Sequence, residues 1–437
     1  MLARTLTFSP DQDESFFQEL PTAAAVFLLR GEGEPYVSKT ANLRRRLQRL
    51  LGRPAQHSKR LNLRDRVREI EFTPAGSDFE SHFLLYHLLR RNFPKTYAAR
   101  LRLRPAALVK LHLENEYPRA SVTTRLGKLP GMWGQTPSAV RSSEARQSAD
   151  LGNRSGLRPE NSRGRLSPHS LDSGAPGVHA RPSNLYYGPF PSRAAAEKFA
   201  SDALDFFRMR RCVDDLHPDP SFPGCVYSEM RMCLAPCFKG CSDAEYHAEV
   251  ARVQAFFDTA GDSLSHEFAE QRDRASAELA FEDAAGLHAK IEKLKPVLTQ
   301  LPEIVRRIDR LNALIVQLSA GAGCVSLFRF SGAGLDGPIS FSVEQRAESQ
   351  SMESRVEAIL QSFPAPEPKS SAERMEHLAM LKRWYYRSHR AGEIFFADEK
   401  GAWPLRRIVR GIGRVYREEK LQEPATFSVT QPVISPS

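Results

Sequence analysis

The stretch AVFLLRGEGEPYVSKTANLRRRL, residues 25–47, changes its hydrophobic rhythm twice within a few residues. Residues 23–30 form an unbroken apolar run closed by Arg30, which reads as a buried strand. Glu32-Gly33-Glu34 supplies turn chemistry, and Pro35–Ser38 reads as a second short strand. From Ala41 to Leu51 the period becomes helical. Leu43, Leu47, Leu50 and Leu51 make one apolar stripe, while Arg44, Arg45, Arg46 and Arg49 occupy the remaining surface. Gly52 and Pro54 stop that helix. A third strand over Val67–Phe72 and a helix over Asp78–Asn92, with Pro94 behind it, complete the order β-β-α-β-α. The fold class expected is α/β, as a small unit with a basic surface.

Outward from this unit, the charge balance points the same way. A net charge of +10 on 437 residues favours a polyanionic partner, of which nucleic acid is the commonest. No apolar run is long enough to span a bilayer, and MLARTLTFSPDQDESFF lacks the basic-then-apolar layout of a signal peptide. A cytoplasmic protein without membrane contact is therefore expected.

The chain divides into a flexible start (1–15), the α/β unit with a connector (16–125), a Ser-, Gly-, Pro- and Arg-rich insert (126–184), a cysteine-rich region (185–241), a helical hairpin (242–300) and a C-terminal α/β region (301–437). The insert holds few large apolar residues and no periodicity, so it reads as disordered and basic. Ser192 caps a helix to about Phe207. Ser242 and Glu245 have capping-box spacing for a helix to about Thr259, and a second helical run spans about Leu264 to Leu298. Near the C-terminus, NALIVQLS and CVSLFRF read as strands, Ala372–Arg387 as an amphipathic helix, and Gly411-Ile412-Gly413 as a plain turn.

Five of six cysteines lie within thirty residues of one another. Cys212, Cys225, Cys233 and Cys237 have the spacing C-x12-C-x7-C-x3-C, with Pro218, Pro220 and Pro223 marking the region as loop. In a reducing compartment such clustering points to a metal site, and four thiolates suit either zinc or an iron–sulfur cluster. Arg210, Arg211 and Arg231 beside them would favour the thiolate form. Cys241 is a bystander and Cys324 a core residue.

The run RCVDDLHPDPSFPGCVYSEMRMCLAPC (211–237), preceded by YYGPFPS, closely resembles the cysteine region of the UvrC family, the incision subunits of bacterial nucleotide excision repair. That resemblance implies a [4Fe–4S] cluster on the four cysteines, where spacing alone leaves zinc open. FEDAAGLHAKIEKL (281–294) resembles the UVR motif through which UvrC docks on UvrB. It implies a docking face of Phe281, Ala284, Ala285, Leu287, Ile291 and Leu294. His288 stands where the family usually has Arg.

The N-terminal unit resembles the GIY-YIG nuclease domain of the same family. Tyr36 falls on the second-motif tyrosine, Lys39 on the following lysine and Arg46 on the helix arginine. These types suit the chemistry: a tyrosine can position or deprotonate water, and cations stabilise charge on the phosphorane-like transition state. The departures fall on the site itself. Phe27 replaces the first tyrosine, Ser38 a glycine, and Leu85 the carboxylate that would hold Mg²⁺. The expected protein is thus a UvrC-like repair accessory with an impaired nuclease site. It would grip DNA through Arg44, Arg45, Arg46, Lys59, Arg60, Arg90 and Arg91 and dock on a UvrB-like partner. The alternatives are an active Mg²⁺-dependent endonuclease making a single incision, and a metal-dependent DNA-binding regulator outside repair.

Overall fold

A computed structural model describes residues 2–53, 60–127, 183–332, 334–344, 350–364 and 369–417. It is a mixed α/β assembly built on three antiparallel four-stranded sheets. The insert expected to be disordered lies almost wholly outside the described residues, as does Lys59.

The first unit contains β1 (Arg4–Thr7), α1 (Ser15–Gln18), β2 (Ala25–Gly31), β3 (Tyr36–Thr40), α2 (Leu43–Leu51), β4 (Val67–Pro74), α3 (Asp78–Asn92) and α4 (Tyr97–Leu101). Its strand order is β1-β4-β2-β3. The flexible lead-in expected over residues 1–15 is corrected here. Arg4–Thr7 pairs with β4 from Phe72 to Glu69, and Phe8 is buried, because the open edge of β4 offers unpaired backbone groups. Asn42 caps α2 by accepting from the Arg45 N–H at 2.9 Å, and Ser77 caps α3 through the Glu80 N–H at 3.1 Å. Ala25, Phe27 and Leu29 share one sheet face with Leu43, Leu47, Leu50 and Leu51 of α2, forming a self-contained core. The other face of β2 and β3 receives α3.

The middle unit has β5 (Ala107–Leu111), β6 (Ala120–Thr123), β7 (Leu185–Phe190), α5 (Arg193–Leu204), α6 (Val226–Glu229), α7 (Asp243–Asp258), α8 (Asp262–Ala277), α9 (Phe281–Thr299) and β8 (Arg306–Arg307). The order β6-β5-β7-β8 places residues read as a connector, 107–123, beside β7 from beyond the insert. The single helical run expected from Leu264 to Leu298 is in fact a hairpin. The chain reverses at Glu278–Ala280, where Leu279 takes φ +63°, so α8 and α9 lie side by side.

The last unit comprises β9 (Asn312–Leu318), β10 (Cys324–Ser331), β11 (Gly334–Ser342), α10 (Met352–Ser362), α11 (Ser371–Tyr385), β12 (Glu393–Phe396) and α12 (Leu405–Tyr416), in sheet order β11-β10-β9-β12. Its sheet is apolar on both faces. Leu314, Val316 and Leu327 face α10 and α12, whereas Ala313, Ile315, Phe328 and Phe330 enter a core shared with α3, α5 and α7. The C-terminal region is therefore not separate, as its sequence suggests. Phe328 meets Phe79 and Phe83 of α3 at ring distances of 5.0 and 5.6 Å. Gly411 and Gly413 lie inside α12, not in a turn. Among the described residues, no helix is long and apolar enough to cross a membrane.

Candidate functional site

The cysteine block hangs between α5 and α7 on a few specific bonds. Arg210, only 2 % exposed, donates from Nε to the Tyr117 carbonyl at 2.9 Å and from Nη1 to the Asp214 carbonyl at 2.8 Å. The same Nη1 lies 3.3 Å from Cys212 Sγ. Tyr246 of α7 accepts from the Arg210 N–H at 3.1 Å and donates to the Pro118 carbonyl at 2.7 Å. Ala235, at φ +58°, turns its N–H onto Cys233 Sγ at 3.3 Å. Arg211, expected to activate a thiol, is instead paired with Asp205 at 2.8 Å.

Cys212, Cys225, Cys233 and Cys237 share one neighbourhood. Burial pushes the Cys233 thiol up to about 11, and repulsion from Cys212, Cys237 and Cys225 adds to it. Cys237 is raised by burial and by Cys225. Among the described residues, no three histidine, cysteine or carboxylate groups converge to metal-holding geometry. Thiols are soft donors, the type that suits zinc or iron–sulfur centres.

In the first unit the structure divides the three residues expected from the resemblance to a nuclease motif, Tyr36, Lys39 and Arg46. Tyr36 accepts from Arg46 Nη2 at 2.7 Å, with the Phe27 ring 6.1 Å from the Tyr36 ring. Arg46 Nε is buried without a partner. Lys39 lies on the opposite face of β3, in contact with Asp78 and 2.6 Å from His82 Nδ1. Arg387, just past the end of α11, reaches Asp78 at 2.5 Å. The hydrogen bond from His82, with those of Lys39, holds the Asp78 carboxyl far below the usual range, while burial lowers Lys39. Leu85 is half-buried against the central core. Glu80 points away from the pair, accepting from the Gly76 N–H at 2.9 Å, and burial raises its pKa.

Residues 170–256 match the family described as UvrC/Cho excinuclease, middle domain. A UvrABC system protein C from Rhodospirillum rubrum is 28 % identical over 188 residues, covering 43 % of this chain and 29 % of that protein. Its counterpart in Stenotrophomonas maltophilia is 32 % identical over 145 residues, 33 % and 23 % of the two chains. The Salmonella paratyphi B protein is 30 % identical over 141 residues, 32 % and 23 %. Over its middle part the chain is similar to the UvrC family. It spans less than a third of the length of these curated relatives. No solved structure matches it.

The remaining residues singled out by likeness to UvrC are only partly available. In the hairpin, Leu294 is 1 % exposed and Leu287 and Ile291 are half-buried against the protein's own core. Phe281 stands 66 % exposed at the tip beside Leu279 at 72 %, with Ala285 exposed and Ala284 half-buried. Any docking face is therefore the tip, not the whole stripe. Two of the arginines assigned to DNA are committed elsewhere. Arg44 donates to the carbonyls of Leu20 and Gln18 at 2.8 and 2.7 Å, and Arg90 pairs with Glu373 at 2.5 Å. Arg45, Arg60 and Arg91 are exposed. Sequence reading misses Glu373, Glu376 and His377 entirely. Tyr86 and Tyr97 both donate to Glu376 at 2.9 Å, and the Leu335 N–H donates to His377 at 2.8 Å. These partners lie hundreds of residues from α3 in sequence, and no local signal connects them.

Proposed function

We propose that this chain is a DNA-binding and docking component of nucleotide excision repair whose GIY-YIG-type site does not cut. One observation supports the reading: among the described residues no carboxylate is seen bonded to Tyr36 or Arg46, and Leu85 is half-buried against the central core. Mg²⁺ requires oxygen ligands, and phosphodiester hydrolysis in such a site needs the metal to activate water and neutralise the leaving group. The exposed Arg45 beside Arg46 still suits a phosphate oxygen, so the unit would hold DNA without cleaving it. The hairpin tip, with Leu279 and Phe281, would dock on a UvrB-type protein.

Cys212, Cys225, Cys233 and Cys237 would hold a [4Fe–4S] cluster, whose bonds supply a covalent staple to a loop with little core. Anaerobic purification should yield a brown protein containing iron and sulfide. Stoichiometric zinc instead would overturn that assignment.

The activity test compares the wild type with a Lys39→Ala/Arg46→Ala variant on damaged duplex with Mg²⁺. Binding without cleavage by the wild type is expected. Cutting by the wild type that the variant lacks would establish the active-nuclease alternative.

A further inference from the structure

We infer that the cleft between the start of α3 and the end of α11 binds a phosphate group, and that a nucleic-acid backbone supplies it; the choice of source rests on the DNA-binding reading above. Asp78 and Phe79 line this cleft from α3, and Met380, Arg383, Trp384 and Arg387 line it from the C-terminal side. Lys39 of β3 reaches Asp78 from a third direction. The floor is firm. Phe79 and Trp384 are buried, with their rings 5.4 Å apart, and Phe328 lies 5.0 Å from Phe79.

Three cations meet one carboxylate here, and that carboxylate is fully used. Asp78 Oδ1 takes Lys39, while Oδ2 takes Arg387 at 2.5 Å and lies 3.4 Å from His82 Nδ1. Glu80, the other acid in the first turn of α3, turns away to accept from the Gly76 N–H at 2.9 Å. Arg383 is left over. It is exposed, and among the described residues its side chain makes no hydrogen bond or ion pair. Burial lowers the Lys39 pKa against the pull of Asp78, and repulsion from Arg383 and Arg387 adds to the lowering.

An oxyanion supplies what this arrangement lacks. Arg383 and Arg387 together carry more N–H donors than Asp78 can accept, and their planar forks suit phosphate oxygens. Asp78 and Phe79 are the first two residues of α3, so the positive end of that helix dipole faces the same cleft. A phosphate bound there would also bridge the N-terminal unit to α11, tying two parts of the fold through one ligand.

The test is made on the full chain as wild type, Arg383→Gln, Arg383→Gln/Arg387→Gln and Arg383→Lys/Arg387→Lys. Equilibrium binding to a mixed-sequence duplex is followed over a series of salt concentrations. The double Gln variant should bind about threefold to tenfold more weakly at physiological salt, with a log–log salt slope shallower by about 1, and the Lys variant should recover the slope. Arg383→Gln breaks no bond of the fold, so it should weaken binding in the same direction with an unchanged thermal melt. A second arm compares melts in inorganic phosphate and in chloride at equal ionic strength. Phosphate should raise the wild-type melt more than that of Arg383→Gln, because a bound ligand stabilises the folded state. Equal duplex binding and an equal phosphate effect in the two proteins overturn the inference and leave the proposed function standing. Equal duplex binding with a phosphate effect confined to wild type keeps the site and overturns the backbone as its source. No duplex binding by the wild type overturns the DNA-binding reading, and the phosphate arm then decides the cleft by itself.

Discussion

The cysteine block and the N-terminal unit hold their shapes by opposite means. Between Cys212 and Cys241 the only buried residues are Ala235 and Pro236, and order rests on the Arg210 strut and a few turns. The N-terminal unit buries Ala25, Phe27, Leu43, Leu47 and Leu51 completely, with its helix caps satisfied. A loop without a core cannot offset its ordering entropy by burial, so it needs bonds; a sheet with a packed helix does not. On the reading proposed above, the block would need its thiols for this reason, whereas the packed core alone can hold the N-terminal unit.

The comparison breaks first at the thiols. A four-thiolate centre contributes folding free energy on the order of 10 kcal/mol. A Cys233→Ser/Cys237→Ser variant should therefore become protease-sensitive between residues 212 and 241, with the N-terminal unit still protected. A block that stays resistant would mean that the Arg210 and Tyr246 bonds suffice.

The second effect is smaller and falls on the other side. Leu47 is fully buried between α2 and its sheet, so Leu47→Ala should destabilise the N-terminal unit by about 2–5 kcal/mol in denaturant melts. Cysteine-block proteolysis should not change. A loss below 1 kcal/mol, on that same scale, would show that this core collapses around the gap.

The smallest effect probes the joint between the N-terminal unit and the rest. His377 is fully buried, and desolvation lowers its pKa from 6.5 to about 3. The unfolded chain takes a proton there that the folded chain refuses. Stability from this group is thus undiminished above pH 6.5 and falls as pH drops toward 3, by at most about 1.4 kcal/mol per unit. His377→Asn keeps an acceptor for the Leu335 N–H and should flatten the melt-versus-pH curve by that amount between pH 6.5 and 5.5. His87, also lowered by burial, leaves a residual slope in the same direction. An unaltered curve would place the acid sensitivity elsewhere.

Much of the fold was legible because its signals are local. The switch from strand run to leucine stripe located β2, β3 and α2 to within two residues, and capping residues marked the starts of α5 and α7. β1 escaped notice because RTLT has no apolar alternation of its own and is ordered by its partner. The α8–α9 reversal was hidden because Glu278–Ala280 contains no glycine or proline. Of the site, the cysteine grouping was readable from spacing. The separation of Lys39 from Tyr36 follows from strand parity and was readable in principle.

The sequence by itself determined the residue types: four thiols at a distinctive spacing, an arginine-rich helix, and a leucine where the resemblance to a nuclease domain leads one to expect an acid. Only the tertiary structure decided which of them remain available. Arg44 and Arg90 are spent on carbonyls and Glu373, Leu294 is spent on the core, and Lys39 is drawn to Asp78, which Arg387 also holds. The reason is physical. A charged or apolar side chain is committed by whatever lies within a few ångströms in the fold, and for α3 those neighbours come from α11, nearly three hundred residues along the chain.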